Sequence, residues 1–251
     1  MGQDLLKDLN TQQQAVVTHL NGPLLVLAGA GSGKTRCITY RVAQLIQTQT
    51  ARPEEVLLLT FTNKAAGEMR QRVEKLVGKA PAFAGTFHSL CARILRQAGQ
   101  AIGMAPSFVI YDEDDQVEAV KKALSDLGYG GEVKKARAVL STISSAKNEL
   151  IGVSQFSELA RGEWQKMVAN VYARYQNILR AAQALDFDDL LFQVVRLWQK
   201  HPDILARYQR QWQYVLVDEY QDTNQAQFTL TTLLAKERRV FTNGEGRIFA
   251  I

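Results

Sequence analysis

The stretch Ala28-Gly29-Ala30-Gly31-Ser32-Gly33-Lys34-Thr35 decides the fold. The apolar run Leu24-Leu25-Val26-Leu27 before it reads as a short buried strand. After it, Ile38, Val42, Leu45 and Ile46 recur on one helical face. Strand, glycine-rich loop, Gly-Lys-Thr and helix is the context that a phosphate-binding loop requires. Glycines let several backbone N–H groups converge on one phosphate cluster, and the helix N-terminus adds partial positive charge. Lys34 is placed to reach the β- and γ-phosphates, and the Thr35 hydroxyl to bind Mg²⁺. Ala28 stands where the general pattern has Gly, a small change. A flexible Gly/Ser turn is the plain alternative, and the flanking strand and helix weigh against it.

Outward from the loop, the order of elements is legible. Asn10-Thr11-Gln12-Gln13 starts a helix with Asn10 as N-cap and Gln13 three residues on. Val56 to Thr60 is a continuous apolar run, the pattern of a strand buried on both faces. Phe61 to Ala66 leaves that strand and enters a helix reaching about Leu76. Ala82 to Thr86 is a third strand, and His88 to Gln100 is helical. The order β-α-β-α-β-α marks an α/β fold with a parallel sheet. From about Asp112 to Gln209 the pattern is mostly helical, and only Phe108 to Tyr111 reads as a strand there. Tyr214-Val215-Leu216-Val217 is again a buried strand, followed by Asp218-Glu219. The first domain therefore reads as discontinuous, 1–110 and 205–251, with a helical domain at 111–204.

Composition narrows the classes. At 251 residues and 46% hydrophobic, the chain has length for a real core and is not disordered. No apolar run approaches the roughly 20 residues of a membrane helix. No signal peptide opens the chain, since Asp4, Lys7 and Asp8 interrupt it. Cys37 and Cys91 have no metal-ligand spacing and read as buried thiols, which fits a cytoplasmic setting. The net charge of +5 favours polyanionic partners weakly. The acidic run Asp112 to Asp115 reads as a helix start rather than a metal site. The basic cluster Lys134, Lys135 and Arg137 is as much a solvated face as a nucleic-acid contact.

A phosphate-binding loop enzyme also needs carboxylates at the end of a neighbouring strand. Asp218 is read as the metal-side acid, and Glu219 as the base that activates water. The catalytic pair is thus Glu219 and Lys34, with Thr35 and Asp218 on Mg²⁺. Nothing matches a guanine reader of the Asn-Lys-x-Asp type. Phe61 and Phe187 lie in polar contexts beside strand or helix ends. Either ring could stack on a base or sit in the core. Asn63 and His88 could hydrogen-bond phosphate or base.

Taken together, these motifs resemble the N-terminal half of the UvrD/Rep-type superfamily 1 DNA helicases, over nearly the whole chain. Leu9-Asn10-Thr11-Gln12-Gln13 resembles the Q motif, which puts Gln13 on the adenine edge. Ala28 to Thr35 resembles motif I, so Ala28, Gly29, Ala30, Gly31, Ser32, Gly33, Lys34 and Thr35 would hold ATP, with Arg36 beside the nucleotide. Thr60-Phe61-Thr62-Asn63-Lys64-Ala65-Ala66 is similar to motif Ia. Gly85-Thr86-Phe87-His88-Ser89 and Asp186-Phe187-Asp188-Asp189-Leu190-Leu191 are similar to further DNA-contacting motifs. Val217-Asp218-Glu219-Tyr220-Gln221-Asp222 resembles motif II. The resemblance implies a RecA-like P-loop NTPase domain (1A) interrupted by a mostly helical insertion (1B). It implies an ATP- and Mg²⁺-dependent 3′–5′ motor on single-stranded DNA and single-strand/duplex junctions. Its single-strand contacts would be Phe61, Asn63, Thr86, His88 and Phe187.

The resemblance departs at the C-terminal end. The family continues after motif II with a strand and then Gly-Asp-x-x-Gln-Ser-Ile-Tyr. Here Arg239-Val240-Phe241-Thr242 reads as the strand. If Ile248-Phe249 matches Ile-Tyr, Gly246 stands in place of the glutamine that couples nucleotide to DNA. The family also completes its ATP site with a second RecA-like domain, so the chain reads as half of a motor. The missing half would come from that domain or from a second copy. Three other readings stay open: a fragment that binds without turnover, part of a RecB- or AddA-like helicase–nuclease, and an unrelated P-loop ATPase.

Overall fold

Asn10 opens α1 (Thr11–Thr18) with a reciprocal cap. Its side chain accepts from the Gln13 N–H at 2.9 Å, while the Gln13 side chain accepts from the Asn10 N–H at 3.1 Å. Two donors that the first turn would leave orphaned are thereby satisfied. β1 (Leu24–Leu25) and the glycine-rich loop lead into α2 (Lys34–Gln47). The chain continues as β2 (Val56–Thr60), α3 (Asn63–Val77), β3 (Phe83–Thr86), α4 (Phe87–Ala98), β4 (Val109–Ile110) and α5 (Glu113–Asp126). Then come α6 (Ala136–Asn148), α7 (Val153–Leu159), α8 (Gly162–Ala181), β5 (Ala184–Leu185), α9 (Phe187–Lys200) and α10 (Pro202–Gln211). β6 (Tyr214–Val217), α11 (Gln225–Arg239) and β7 (Arg247–Ala250) close the order. This computed structural model describes residues 4–19, 22–29, 31–239 and 247–250.

The residues divide into two units: Met1–Leu90 with Pro202–Thr223 and Thr231–Ile251, and Cys91–His201 with Asn224–Leu230. The first unit is the α/β one. Its sheet runs β1-β7-β6-β2-β3 with every pairing parallel. Every residue of β2 is buried, as its unbroken apolar run requires. Val56 and Leu58 join Leu216, the α2 residues Ile38, Val42 and Leu45, and the α3 residues Met69 and Val73 in one cluster. Alternate residues Leu57, Leu59, Val215 and Val217 are buried on the opposite face. Trp212, just before β6, stacks on Tyr208 of α10 at 5.3 Å and lies 6.5 Å from the Phe83 ring of β3.

Two expectations for this unit need correction. The run Leu24 to Leu27 is not a strand buried on both faces. Only Leu24–Leu25 are in strand, at the sheet edge, and Leu25 and Leu27 are 58% and 88% exposed. Leu24 and Val26 pack on the α2 cluster, so burial alternates with a period of two, as on a half-covered strand. The strand expected at 239–242 is also absent at its first residue, because Arg239 ends α11, and residues 240–242 lie outside the described residues. Between β1 and β6 stands β7 instead, with Val215 opposite Ile248. Gly246, matched above to the coupling glutamine, lies outside the described residues too.

The second unit is helical. Val120 and Leu124 of α5, Val139 and Ile143 of α6, and Val168, Tyr172 and Tyr175 of α8 form its core. β4 and β5 make a two-residue parallel ladder, Val109 opposite Ala184. β5 lies in the stretch read as helix, since two residues carry no periodicity. Asp112 caps α5 and accepts from the Asp115 N–H at 3.0 Å, so the acidic run is a helix start. Arg137 pairs with Glu113, and Lys135 pairs with Glu132 at 2.7 Å, which neutralises much of that basic cluster. Both cysteines are buried and free.

A buried ion cluster sits under the start of α9. Lys147, Asp186 and Asp189 are each about 1% exposed. The Lys147 ammonium lies 2.6 Å from the Asp186 carboxylate and 2.8 Å from that of Asp189. One cation thus faces two carboxylates. Burial, opposed by Lys147 and reinforced by Asp186, pushes the Asp189 pKa up to about 6. The native state therefore holds a proton that the unfolded chain has already lost between about pH 4 and 6, and its stability falls as pH rises through that window. Asp189→Asn is expected to flatten this slope relative to wild type. Urea midpoints at several pH values measure it, and parallel curves for the two proteins contradict the assignment.

Candidate active site

The loop turns on Gly33, whose φ of 88° only glycine adopts without strain. A Cβ there would also lie 2.9 Å from the Gln13 side-chain nitrogen. Gln13 uses that nitrogen to donate to the Ser32 carbonyl at 3.1 Å. Its amide is thus the strut between the α1 cap and the loop, and its placement on an adenine edge is a separate matter. The Ser32 hydroxyl donates to the Gly29 carbonyl at 2.7 Å, tightening the loop on itself. Lys34 and Thr35 are the first residues of α2, at its positive end. Ala30 lies outside the described residues. Arg36 donates to the Asp8 carbonyl at 2.5 Å, and its guanidinium lies 5.2 Å from the Tyr40 ring centre. A hollow of about 450 Å³ opens there, lined by Arg36, Tyr40, Arg72 and Lys75.

The acidic pair leaves the end of β6. The Asp218 N–H donates to the Leu59 carbonyl at 2.9 Å, extending the ladder to β2 by one residue. Asp218 is buried, and its Oδ1 has no hydrogen-bond partner among the described residues. Burial and the neighbouring Glu219 charge raise its pKa, while Lys34 works against them. A buried carboxylate oxygen without a donor is costly. That oxygen could ligate a divalent cation only together with phosphate oxygens, whose charge would offset the positive helix N-terminus and Lys34. Glu219 adopts φ 52°, a conformation uncommon for a residue with a side chain, and it turns its carboxylate toward the loop. The Lys34 ammonium lies 3.4 Å from it. The Gln221 amide donates to the Glu219 carboxylate at 2.5 Å and, more than Lys34, holds its pKa below the usual range. Glu219 is therefore ionised at neutral pH. Gln221 has a part here that the acidic pair alone did not signal. A cavity of about 500 Å³ beside the loop is lined by Ala28, Lys34, Tyr220 and Gln221.

The other candidates fall on two surfaces. Parallel register sets Thr60 opposite Thr86 and Leu59 opposite Val217. Phe61, Thr86, His88 and Asp218 therefore leave the same carboxyl edge of the sheet, where open α/β sheets gather ligands. The half-buried Phe61 ring lies 6.0 Å from the buried Phe87 ring. Asn63 is exposed at the start of α3. Thr86 is buried, and its hydroxyl accepts from the Ser89 N–H at 3.2 Å, so it caps α4. His88 is half-buried. Phe187 belongs to the other unit. It starts α9 and is 47% exposed as a residue, which is not the position of a core residue.

Comparison with known proteins follows the same outline. The family described as UvrD/REP helicase N-terminal domain matches residues 9–245. The chain is 46% identical over 234 residues to the ATP-dependent DNA helicase PcrA of Bacillus subtilis (strain 168), covering 92% of this chain and 32% of that relative. The PcrA of Leuconostoc citreum is 44% identical over 238 residues, covering 94% of this chain and 32% of its own length. That of Staphylococcus aureus (strain Mu50 / ATCC 700699) is 44% identical over 235 residues, covering 93% and 32%. The chain thus spans about a third of the length of the curated relatives it matches. Among the described residues, no helix is long and apolar enough to cross a membrane.

Proposed function

This chain belongs to the UvrD/REP helicase N-terminal domain family, and we propose that it binds MgATP and single-stranded DNA as the N-terminal part of an ATP-dependent 3′–5′ DNA helicase. One observation carries the nucleotide half. Lys34 at the start of α2 lies 3.4 Å from Glu219, next to the buried, unpartnered Asp218 oxygen. Phosphate oxygens would be received by the loop N–H groups and Lys34, and Thr35 and Asp218 would hold Mg²⁺, which neutralises phosphate charge when bound. Glu219 accepts the proton of the attacking water, and Gln221 keeps its carboxylate aimed. Arg36 and Tyr40 border the hollow where the rest of the nucleotide would extend.

The DNA half rests on Phe61, Asn63, Thr86 and His88 at one sheet edge and on Phe187 at the start of α9. Exposed rings give bases a sequence-tolerant platform. Motion along a strand, loading at single-strand/duplex junctions and completion of the ATP site belong to a protein of the relatives' length. A second RecA-like domain or a second copy would supply the missing contacts.

The test is single-turnover ATP hydrolysis with protein in excess, with and without oligo(dT), using Glu219→Gln as comparison. The expected result is DNA-stimulated hydrolysis that Glu219→Gln lowers by about 10²- to 10⁴-fold while MgATP affinity is kept. Equal rates in the two proteins contradict the role of Glu219. No hydrolysis by the wild-type chain makes it a binding fragment.

A further inference from the structure

The first turn of α9 carries Asp186, Phe187, Asp188 and Asp189. The carboxylates on either side of Phe187 are held by different partners. Asp186, the N-cap, takes the Lys147 ammonium at 2.6 Å and the Tyr175 hydroxyl at 2.8 Å. Asp188 accepts from the Asn148 side-chain amide at 3.2 Å. The orientation of Asn148 is itself fixed. Its carbonyl oxygen accepts from the Asn224 amide at 2.5 Å, so its NH₂ group must face Asp188. Asn224 is held in turn by the cap of α11, accepting from the Gln227 N–H at 2.9 Å and donating its own N–H to the Gln227 side chain at 3.1 Å. A line of amides therefore runs from the α11 cap through Asn148 to the residue after Phe187. The exposed ring stands on backbone pinned on both sides.

We propose that Asn148, oriented by Asn224, is a positioning residue that holds the Phe187 ring ready to stack on a base of single-stranded DNA. This rests on the reading of Phe187 as a DNA contact. The physical gain is pre-organisation: a ring already fixed in place loses little freedom on binding.

Because Asn148 is half-buried and uncharged, its variants should fold with a smaller loss of stability than those of the buried Lys147. Fluorescence anisotropy with labelled oligo(dT) at low salt compares wild type, Phe187→Ala, Asn148→Ala, Asn148→Asp and the double variant Phe187→Ala/Asn148→Ala. Phe187→Ala is expected to weaken binding about 10- to 100-fold, the range for losing one stacked base. Asn148→Ala should weaken it by about 5-fold through lost pre-organisation. Asn148→Asp, which has nearly the same shape but cannot donate to Asp188, should weaken it at least as much. The double variant should bind like Phe187→Ala, because a residue acting through the ring adds nothing once the ring is gone. A purely structural role would leave the two effects additive. Additive effects, or an Asn148→Ala that binds like wild type beside a weakened Phe187→Ala, overturn the proposal alone. An unchanged Phe187→Ala overturns the DNA reading of the ring, and the proposal with it.

Discussion

Lys34→Ala is expected to weaken MgATP binding by about 100-fold while leaving the fold intact. Lys34 is the first residue of α2, directly behind the glycine turn, and its ammonium lies beside the acidic pair. A charge-assisted hydrogen bond contributes about 1.5–3 kcal/mol, and two phosphates sharing one ammonium place this loss at the upper end. At 1.4 kcal/mol per tenfold, that is about two orders of magnitude. The cost to stability is small by comparison. The side chain is not in the core, and a partly exposed pair such as Lys34–Glu219 contributes at most about 1 kcal/mol. Isothermal titration with MgATP, beside urea unfolding of the same protein, separates the two effects. Retained affinity contradicts the phosphate-binding role, and a large fall in the urea midpoint makes Lys34 structural.

Lys147→Met should have the largest effect on stability, about 3–5 kcal/mol, because it strands two buried carboxylates without their cation. Against the 5–15 kcal/mol typical of a whole domain, that is about a fifth or more of the margin. The cluster's geometry supports the upper part of the range. Lys147 also donates to the Gln176 side chain at 2.8 Å, and Gln176 donates to Asp189 at 3.2 Å, so one substitution breaks a connected network. Lys147→Met combined with Asp189→Asn should recover part of the loss, since less charge is left uncompensated. Urea unfolding followed by circular dichroism measures both. A single variant within about 1 kcal/mol of wild type contradicts the account of the cluster.

Legibility in the sequence followed the range of each signal. The loop was legible because Gly33, Lys34 and Thr35 act through local backbone geometry, which spacing encodes. β2 was legible because its five consecutive residues are all buried. β1 was misread for the converse reason: an apolar run does not tell whether one face or both are covered, and Leu25 and Leu27 point away from the α2 cluster. β5 is too short to show a period. Lys147 and Asp186 lie 39 positions apart, so no local pattern joins them. The same holds for Asn148 and Asn224, which meet only in the folded second unit. Gln13 shows two demands on one residue, because the pattern that caps α1 also props the loop through Ser32.

The most direct test of the central claim, that one chain carries a nucleotide site and a separate single-strand face, is a crossed binding measurement. Wild type, Lys34→Ala and Phe61→Ala are each titrated with MgATP and with labelled oligo(dT). Phe61→Ala should lose about 1–3 kcal/mol of oligo(dT) binding and keep MgATP affinity. Lys34→Ala should do the reverse. If Phe61→Ala unfolds, or if each variant weakens both ligands equally, the two-site account is contradicted.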